Sequence, residues 1–138
     1  MVLNQLSIFL ENKAGRLADA TAAIAGAGVD VRAISIADTA DFGILRVIVD
    51  RPDAALAALS EAGFTTRTAE VLSLEIADRP GALAEVLRAF KESGVNIEYL
   101  YASLEKNEDK AVVIFKVEDI ALGLEIARRR GLTQAGEF

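Results

Sequence analysis

The residues with the clearest chemical potential lie at two strand-to-helix corners, Asn12–Leu17 and Asp78–Leu83. In each corner a polar residue stands three positions before a glycine that begins a helix. The first turn of a helix presents backbone N–H groups without intrahelical acceptors, at the positive end of the helix dipole. A glycine at this point leaves no Cβ between the backbone and a ligand. Each corner could therefore bind a carboxylate or another small anion.

A simpler explanation of the corners is that Asn12 and Asp78 cap their helices while the glycines turn the chain. A second pair of polar residues, Asp30 and Asn96, follows a Gly-Val dipeptide at the start of the next strand. Taken alone, each of these is an ordinary turn residue. Both the corner and the polar residue after Gly-Val occur twice in the chain, 66 residues apart. This joint recurrence favours a functional role.

The corners belong to a sequence repeat. Six of the 20 positions from Asn12 to Val31 are identical 66 residues later, and six more keep their character. A repeat of this length indicates one supersecondary unit used twice. We therefore predict two domains, residues 1–69 and 70–138.

The elements that must position the corners follow the order β-α-β-β-α-β in each copy, by hydrophobic periodicity and turn signals. The predicted strands are 3–10, 29–37, 43–49, 64–69, 71–76, 95–103, 111–117 and 132–138, and the predicted helices are 15–27, 52–63, 80–93 and 120–130. The residues that helical spacing assigns to the core are Leu17, Ala20, Ile24 and Ala27 in the first copy and Leu83, Val86, Leu87 and Phe90 in the second. The predicted fold class is α+β: two ferredoxin-like βαββαβ units forming one continuous antiparallel sheet, with the helices on one face. No Gly/Pro/Ser-rich linker separates the copies.

Strands 43–49 and 111–117 are apolar on both faces. A two-layer unit buries only one face of its sheet, so the other face requires an apolar partner. We predict a homodimer that buries this helix-free face. The predicted interface residues are Phe115, Val113 and Val117, with Val112 and Ile114 as the alternative set.

The composition excludes several function classes. A formal charge of −6 and a pI near 4.7 argue against nucleic acid, whose phosphates would be repelled. The chain has no Cys and no His, which removes thiol chemistry and the commonest metal ligand, and we predict no cofactor and no metal. No apolar run reaches ~18 residues and no secretion signal is present, so we expect a cytoplasmic protein without a membrane span.

The motif Asn/Asp-x-x-Gly-x-Leu, followed by Gly-Val-Asn/Asp-aliphatic at the next strand, resembles the ACT domain, a small amino-acid-binding regulatory module. The resemblance covers essentially the whole chain as two ACT units. It implies that the units join side by side through the edge strands that start at Asp30 and Asn96, and that ligands bind at the junction. The ligand-binding residues that it implies are Asn12, Lys13, Ala14, Gly15, Arg16, Leu17 and Asn96 at site A, and Asp78, Arg79, Pro80, Gly81, Ala82, Leu83 and Asp30 at site B.

The two implied sites are chemically unequal. The two asparagines of site A can donate to a ligand carboxylate and accept from its ammonium group, whereas the two aspartates of site B only accept. Two aspartates also repel a carboxylate, so site A fits a free amino acid better. Leu10 and Ile76 occupy the position where the family has a polar residue, so a hydroxylated ligand such as serine is not implied.

The resulting hypothesis is a non-catalytic regulatory module that binds a free amino acid or a similar small zwitterion. One alternative is a partner-binding regulatory subunit that acts in trans on a metabolic enzyme and has vestigial ligand sites. Another is a hydrolase of the acylphosphatase type, in which Arg16 or Arg79 would hold the anion. The repeat aligns Arg79 with Lys13, which is more typical of a solvated charge.

Overall fold

The computed structural model describes residues 2–38, 41–107 and 109–132. The chain divides into two compact units. The first unit comprises Asn4–Ala69, and the second begins at Glu70 and also includes Val2 and Leu3.

In the first unit, two helices pack on one face of an antiparallel sheet. The elements are β1 (Val2–Glu11), α1 (Arg16–Gly26), β2 (Val31–Asp38), β3 (Phe42–Val49), α2 (Pro52–Glu61) and the first part of β4 (Thr65–Ala77). β3 is central and pairs antiparallel with both β1 and β2. The core joins both helices to alternate strand residues: Ala20 and Ile24 of α1, Ala55 and Leu59 of α2, and Leu6, Ile8, Leu45 and Val47 of the sheet.

The second unit repeats this design. It contains the rest of β4, α3 (Ala82–Glu92), β5 (Ile97–Asn107), β6 (Lys110–Val117) and α4 (Ile120–Arg129). β6 takes the central position and pairs antiparallel with β4 and β5. Its core contains Val86 and Phe90 of α3, Ile126 and Ala127 of α4, and Leu72, Leu74, Val113 and Phe115 of the sheet. The predicted α+β class, repeated element order and antiparallel pairing are confirmed.

The described residues contain six strands where the sequence predicted eight. β4 runs unbroken over Thr65–Ala77 and replaces the two predicted strands 64–69 and 71–76, because no glycine, proline or turn sequence interrupts it. The eighth predicted strand, 132–138, lies outside the described residues except for Leu132. None of the four helices in the described part is long and apolar enough to cross a membrane.

The surface predicted for a homodimer is buried inside a single copy. Phe115 and Val117 are fully buried, and Val113 is nearly so, in the core that faces α3 and α4. The alternative residues Val112 and Ile114 are also buried. The assignment of these residues to an interface is wrong. Alternation along β6 directs Phe115 toward the helices, where its ring lies 5.7 Å from that of Phe90 between centroids.

The leucines of the first helical turns are exposed, although helical spacing assigned them to the core. Leu17 is 42% exposed and Leu83 is 38% exposed, while Ile24 and Phe90 further along the same helices are fully buried. Side chains in a helix point toward its N-terminus. A leucine in the first turn therefore covers the corner before the helix instead of the sheet.

Asp119 is the only side chain that caps the N-terminus of a helix in the described part of the chain, where its carboxylate accepts a hydrogen bond of 3.0 Å from the Leu122 N–H. We expect Asp119→Ala to lower the free energy of unfolding by about 1 kcal/mol, as is usual for the loss of an N-cap. Urea unfolding measures this change. Asp119→Asn is the control and should retain most of the stability, because asparagine caps about as well as aspartate. Equal losses in both variants would contradict the capping role.

Candidate functional site

The two corners have the same backbone geometry. Gly15 has φ +90° and ψ −18°, and Gly81 has φ +87° and ψ −13°. This left-handed conformation favours glycine. In each helix the glycine itself occupies the N-cap position, so the explanation that Asn12 and Asp78 occupy the caps is not supported. Both helices begin without a side chain at the N-cap.

Backbone N–H groups are therefore available at the start of α1 and α3. The first helical hydrogen bond of α1 runs from the Asp19 N–H to the Gly15 carbonyl at 2.9 Å, and that of α3 runs from Glu85 to Gly81 at 3.0 Å. The N–H groups of Leu17 and Leu83 precede these bonds and have no intrahelical acceptor. They lie at the positive end of the helix dipole, and each corner can accept an anionic group there.

The neighbouring hairpin fixes the position of each corner. The Asn12 N–H donates to the Asp41 carbonyl at 3.0 Å, and the Asp78 N–H donates to the Asp109 carbonyl at 2.8 Å. The same anchor thus appears in both units. Since Asp41 and Asp109 precede β3 and β6, the central strand of each sheet holds the corner in place.

A cavity of about 220 Å³ opens at the first corner. Its lining residues are Leu10, Glu11, Asn12, Lys13, Leu17, Ile36, Asp38 and Gly43. The cavity thus combines the corner with residues of β1, β2 and β3. Clefts that hold drug-sized ligands measure about 300–1,000 Å³, so this cavity suits a smaller ligand.

Some charged groups at the first corner already interact with neighbouring side chains, and others are available to bind a ligand. The Lys13 ammonium pairs with the Glu11 carboxylate at 3.1 Å. The guanidinium of Arg16 lies 4.6 Å from the centroid of the Phe64 ring and 3.6 Å from the Asp19 carboxylate. Asp38 is exposed, and its carboxylate has no ion pair or hydrogen bond with another described residue. Among these groups, Asp38 is the one available to a cationic ligand group.

The second corner has different surroundings. Ala111 takes the place of Gly43, because Ile76 pairs with Ala111 as Leu10 pairs with Gly43. The Arg79 guanidinium pairs with the Glu85 carboxylate at 2.9 Å. This hydrogen bond and the opposite charge of Arg79 lower the pKa of the exposed Glu85 carboxyl and raise the pKa of Arg79. Arg79 is thus engaged by Glu85, as Arg16 is by Phe64, which counts against the hydrolase alternative.

The two strand starts also differ. The Asp30 carboxylate accepts a hydrogen bond of 2.9 Å from Arg32, and the Asp30 N–H donates to Asp50 at 2.9 Å. The Asn96 carbonyl accepts from the Glu118 N–H at 2.9 Å, but the side-chain amide of Asn96 has no hydrogen-bond partner among the described residues. Asn96 lines an open cavity of about 650 Å³ at the start of α4. The negative charge of Asp30 is thus partly compensated, while the Asn96 amide is available to a ligand.

Within a single unit, the corner and the strand start are far apart. Each is next to one end of an 11-residue helix, α1 or α3. At about 1.5 Å per residue these helices are about 16 Å long. One amino acid cannot span this distance, so no single unit brings both halves of a predicted site together.

Comparison with known proteins identifies the family. A family model described as an ACT domain pair matches residues 1–133. The chain belongs to the ACT domain pair family. ACT domains are regulatory modules, and the repeated unit and the corner motif agree with that assignment.

Solved structures show which proteins share the fold of this ACT domain pair. Protein BT0572 from Bacteroides thetaiotaomicron is similar at 38% identity and a TM-score of 0.92, over 98% of this chain and 92% of that one. The ligand-free regulatory subunit of aspartate kinase from Thermus thermophilus is similar at 20% identity and a TM-score of 0.65, over 91% of this chain and 90% of that one. The regulatory subunit of aspartate kinase from Thermus flavus is similar at 20% identity and a TM-score of 0.59, over 94% of each chain. No curated protein matches the sequence.

Five residues that line the cavity were not among the predicted ligand-binding residues: Leu10, Glu11, Ile36, Asp38 and Gly43. One signal was available: Gly43 is an isolated glycine in a mostly apolar strand, and such a glycine often marks a close approach of another group to the backbone. Ile36 and Asp38 carried no local signal, because only strand pairing brings them beside the corner.

Proposed function

We propose that this ACT domain pair is a non-catalytic regulatory module that binds a free amino acid at its first corner. The observation that carries the proposal is the cavity at that corner. The start of α1 offers N–H groups to a carboxylate, Asp38 offers a carboxylate to an ammonium group, and aliphatic side chains line the space between them. A zwitterion with an apolar side chain is complementary to this arrangement.

We further propose that each complete site joins a corner of one unit to a strand start of the other. Site A then contains Asn12–Leu17 with Asn96, and site B contains Asp78–Leu83 with Asp30. The separation of about 16 Å along each helix supports this pairing, because no unit can supply both halves by itself. The Asn96 amide both donates and accepts hydrogen bonds, as a zwitterion requires.

Thermal unfolding in the presence of each of the twenty amino acids tests the proposal. A ligand at about 100 times its Kd should stabilise the chain by roughly 2.7 kcal/mol, because it binds only the folded state. We expect at least one amino acid to raise the melting temperature in a concentration-dependent manner. If none of them does, the chain is not an amino-acid-binding module.

The second candidate function is a regulatory subunit that acts on a metabolic enzyme without binding a ligand. Two structures that share the fold are regulatory subunits of aspartate kinase, which favours an enzyme as the partner. This function predicts no thermal shift with any amino acid. The homodimer and the cytoplasmic location stay predictions, and light scattering tests the first of them.

A further inference from the structure

We propose that the first corner selects an aliphatic amino acid, of the size range of valine to leucine, and that Gly43 determines this selectivity. The inference rests on the proposed function, since it names the class of ligand for the same site. It is drawn from the side chains that line the cavity beyond the corner motif.

The wall of the cavity is aliphatic. Leu10, Leu17 and Ile36 line it, and Leu17 and Ile36 are 42% and 53% exposed. An apolar ligand side chain would remove this surface from water, which is favourable. A polar or charged side chain would lose its hydration against this wall without gaining a partner.

Gly43 forms the floor of the cavity. It pairs with Leu10 of β1 on one side and with Asp38 of β2 on the other. The backbone of Gly43 does not have a positive φ, so its conformation does not require glycine. A Cβ at this position would lie 3.6 Å from the Cδ1 atom of Ile36, within ordinary van der Waals contact. Glycine therefore matters here because it leaves space.

The charges orient the ligand. The Glu11 carboxylate is already paired with Lys13, whereas Asp38 is available to the α-ammonium group. With the α-carboxylate at the start of α1, the side chain of the ligand points toward Leu10, Ile36 and Gly43. A second negative charge on the ligand would meet Asp38 and Glu11 and be repelled.

The residues around the second corner are different. Ala111 of β6 stands at the position that Gly43 has in β3. Ala102 stands at the position of Ile36, because it pairs with Val113 of β6 as Ile36 pairs with Leu45 of β3. The second corner thus has a methyl group where the first has none, and an alanine where the first has an isoleucine. The selectivity is accordingly a property of the first corner.

The test compares the wild-type chain with Gly43→Ala, which introduces the residue of the second corner. Titration calorimetry is performed with valine, leucine, isoleucine, serine, aspartate, lysine and phenylalanine. We expect the best aliphatic ligand to bind wild type at least tenfold more tightly than the other four. Gly43→Ala should weaken leucine binding by roughly 10- to 200-fold, the usual effect of one methyl group in an apolar pocket.

Gly26→Ala is the matched control. Gly26 is in the same unit and does not line the cavity, its φ is not positive, and a Cβ there meets nothing within 4 Å. This variant should bind leucine as wild type does. If wild type binds no amino acid, the proposed function fails. If it binds a polar, charged or aromatic amino acid best, or if Gly43→Ala binds leucine as tightly as Gly26→Ala does, only the selectivity inference is overturned.

Discussion

Replacing Phe115 with alanine should lower the free energy of unfolding by about 3–5 kcal/mol, the range for large-to-small changes of aromatic core residues. Phe115 is fully buried between β6 and the helices of the second unit. Its ring packs against Phe90 at a tilt of 57°, so the substitution removes an aromatic pair and leaves a cavity. Chemical denaturation monitored by circular dichroism measures the loss.

The control for Phe115 is the same change at Phe42, whose side chain is 54% exposed. Phe42→Ala should cost less than half as much, because much of that ring is already in contact with water. A Phe115→Ala protein of unchanged stability, whose mass in light scattering falls to half that of wild type, would contradict the core assignment. That result would instead indicate that Phe115 lies at an interface between two copies of the chain.

Changing Asn96 to aspartate should lower the affinity for the best amino acid by more than a hundredfold. The substitution preserves the shape of the side chain but, in the proposed site A, would place a negative charge beside the ligand carboxylate. At an effective dielectric constant of ~20 and a separation of ~4 Å, the repulsion is roughly 4 kcal/mol, which exceeds the free energy of a hundredfold change in Kd. Titration calorimetry on the two proteins measures the difference.

The variant Asn96→Ala distinguishes the effect of the added charge from the effect of losing the side-chain amide. It removes the hydrogen-bonding group without adding a charge, so its affinity should lie between those of wild type and Asn96→Asp. The reciprocal change, Asp30→Asn, should improve binding at the second site, although Asp78 keeps its charge there. If Asn96→Asp binds the amino acid as tightly as wild type, Asn96 is not part of the ligand site.

The sequence by itself determined the repeated unit, its element order and the ends of its helices, because local signals encode these features. Gly15 and Gly81 stand at the starts of their helices, as the doubled corner motif indicated. Gly28 has a positive φ just after α1. The Val29 N–H that follows it donates to the Ile24 carbonyl at 3.3 Å, which terminates the helix. Each of these features depends on residues only a few positions apart.

Only the tertiary structure decided which face of a strand is buried and which residues line the cavity at the first corner. β6 is apolar on both faces, so its alternation could not distinguish a core residue such as Phe115 from an interface residue. Leu17 looked like a core residue by periodicity, yet it covers the corner because first-turn side chains point toward the N-terminus of the helix. Gly43 and Asp38 reach that corner through pairing between β1, β3 and β2. Strand pairing joins residues distant along the chain and fixes their register through the whole sheet, and for this reason local sequence patterns could not reveal the cavity.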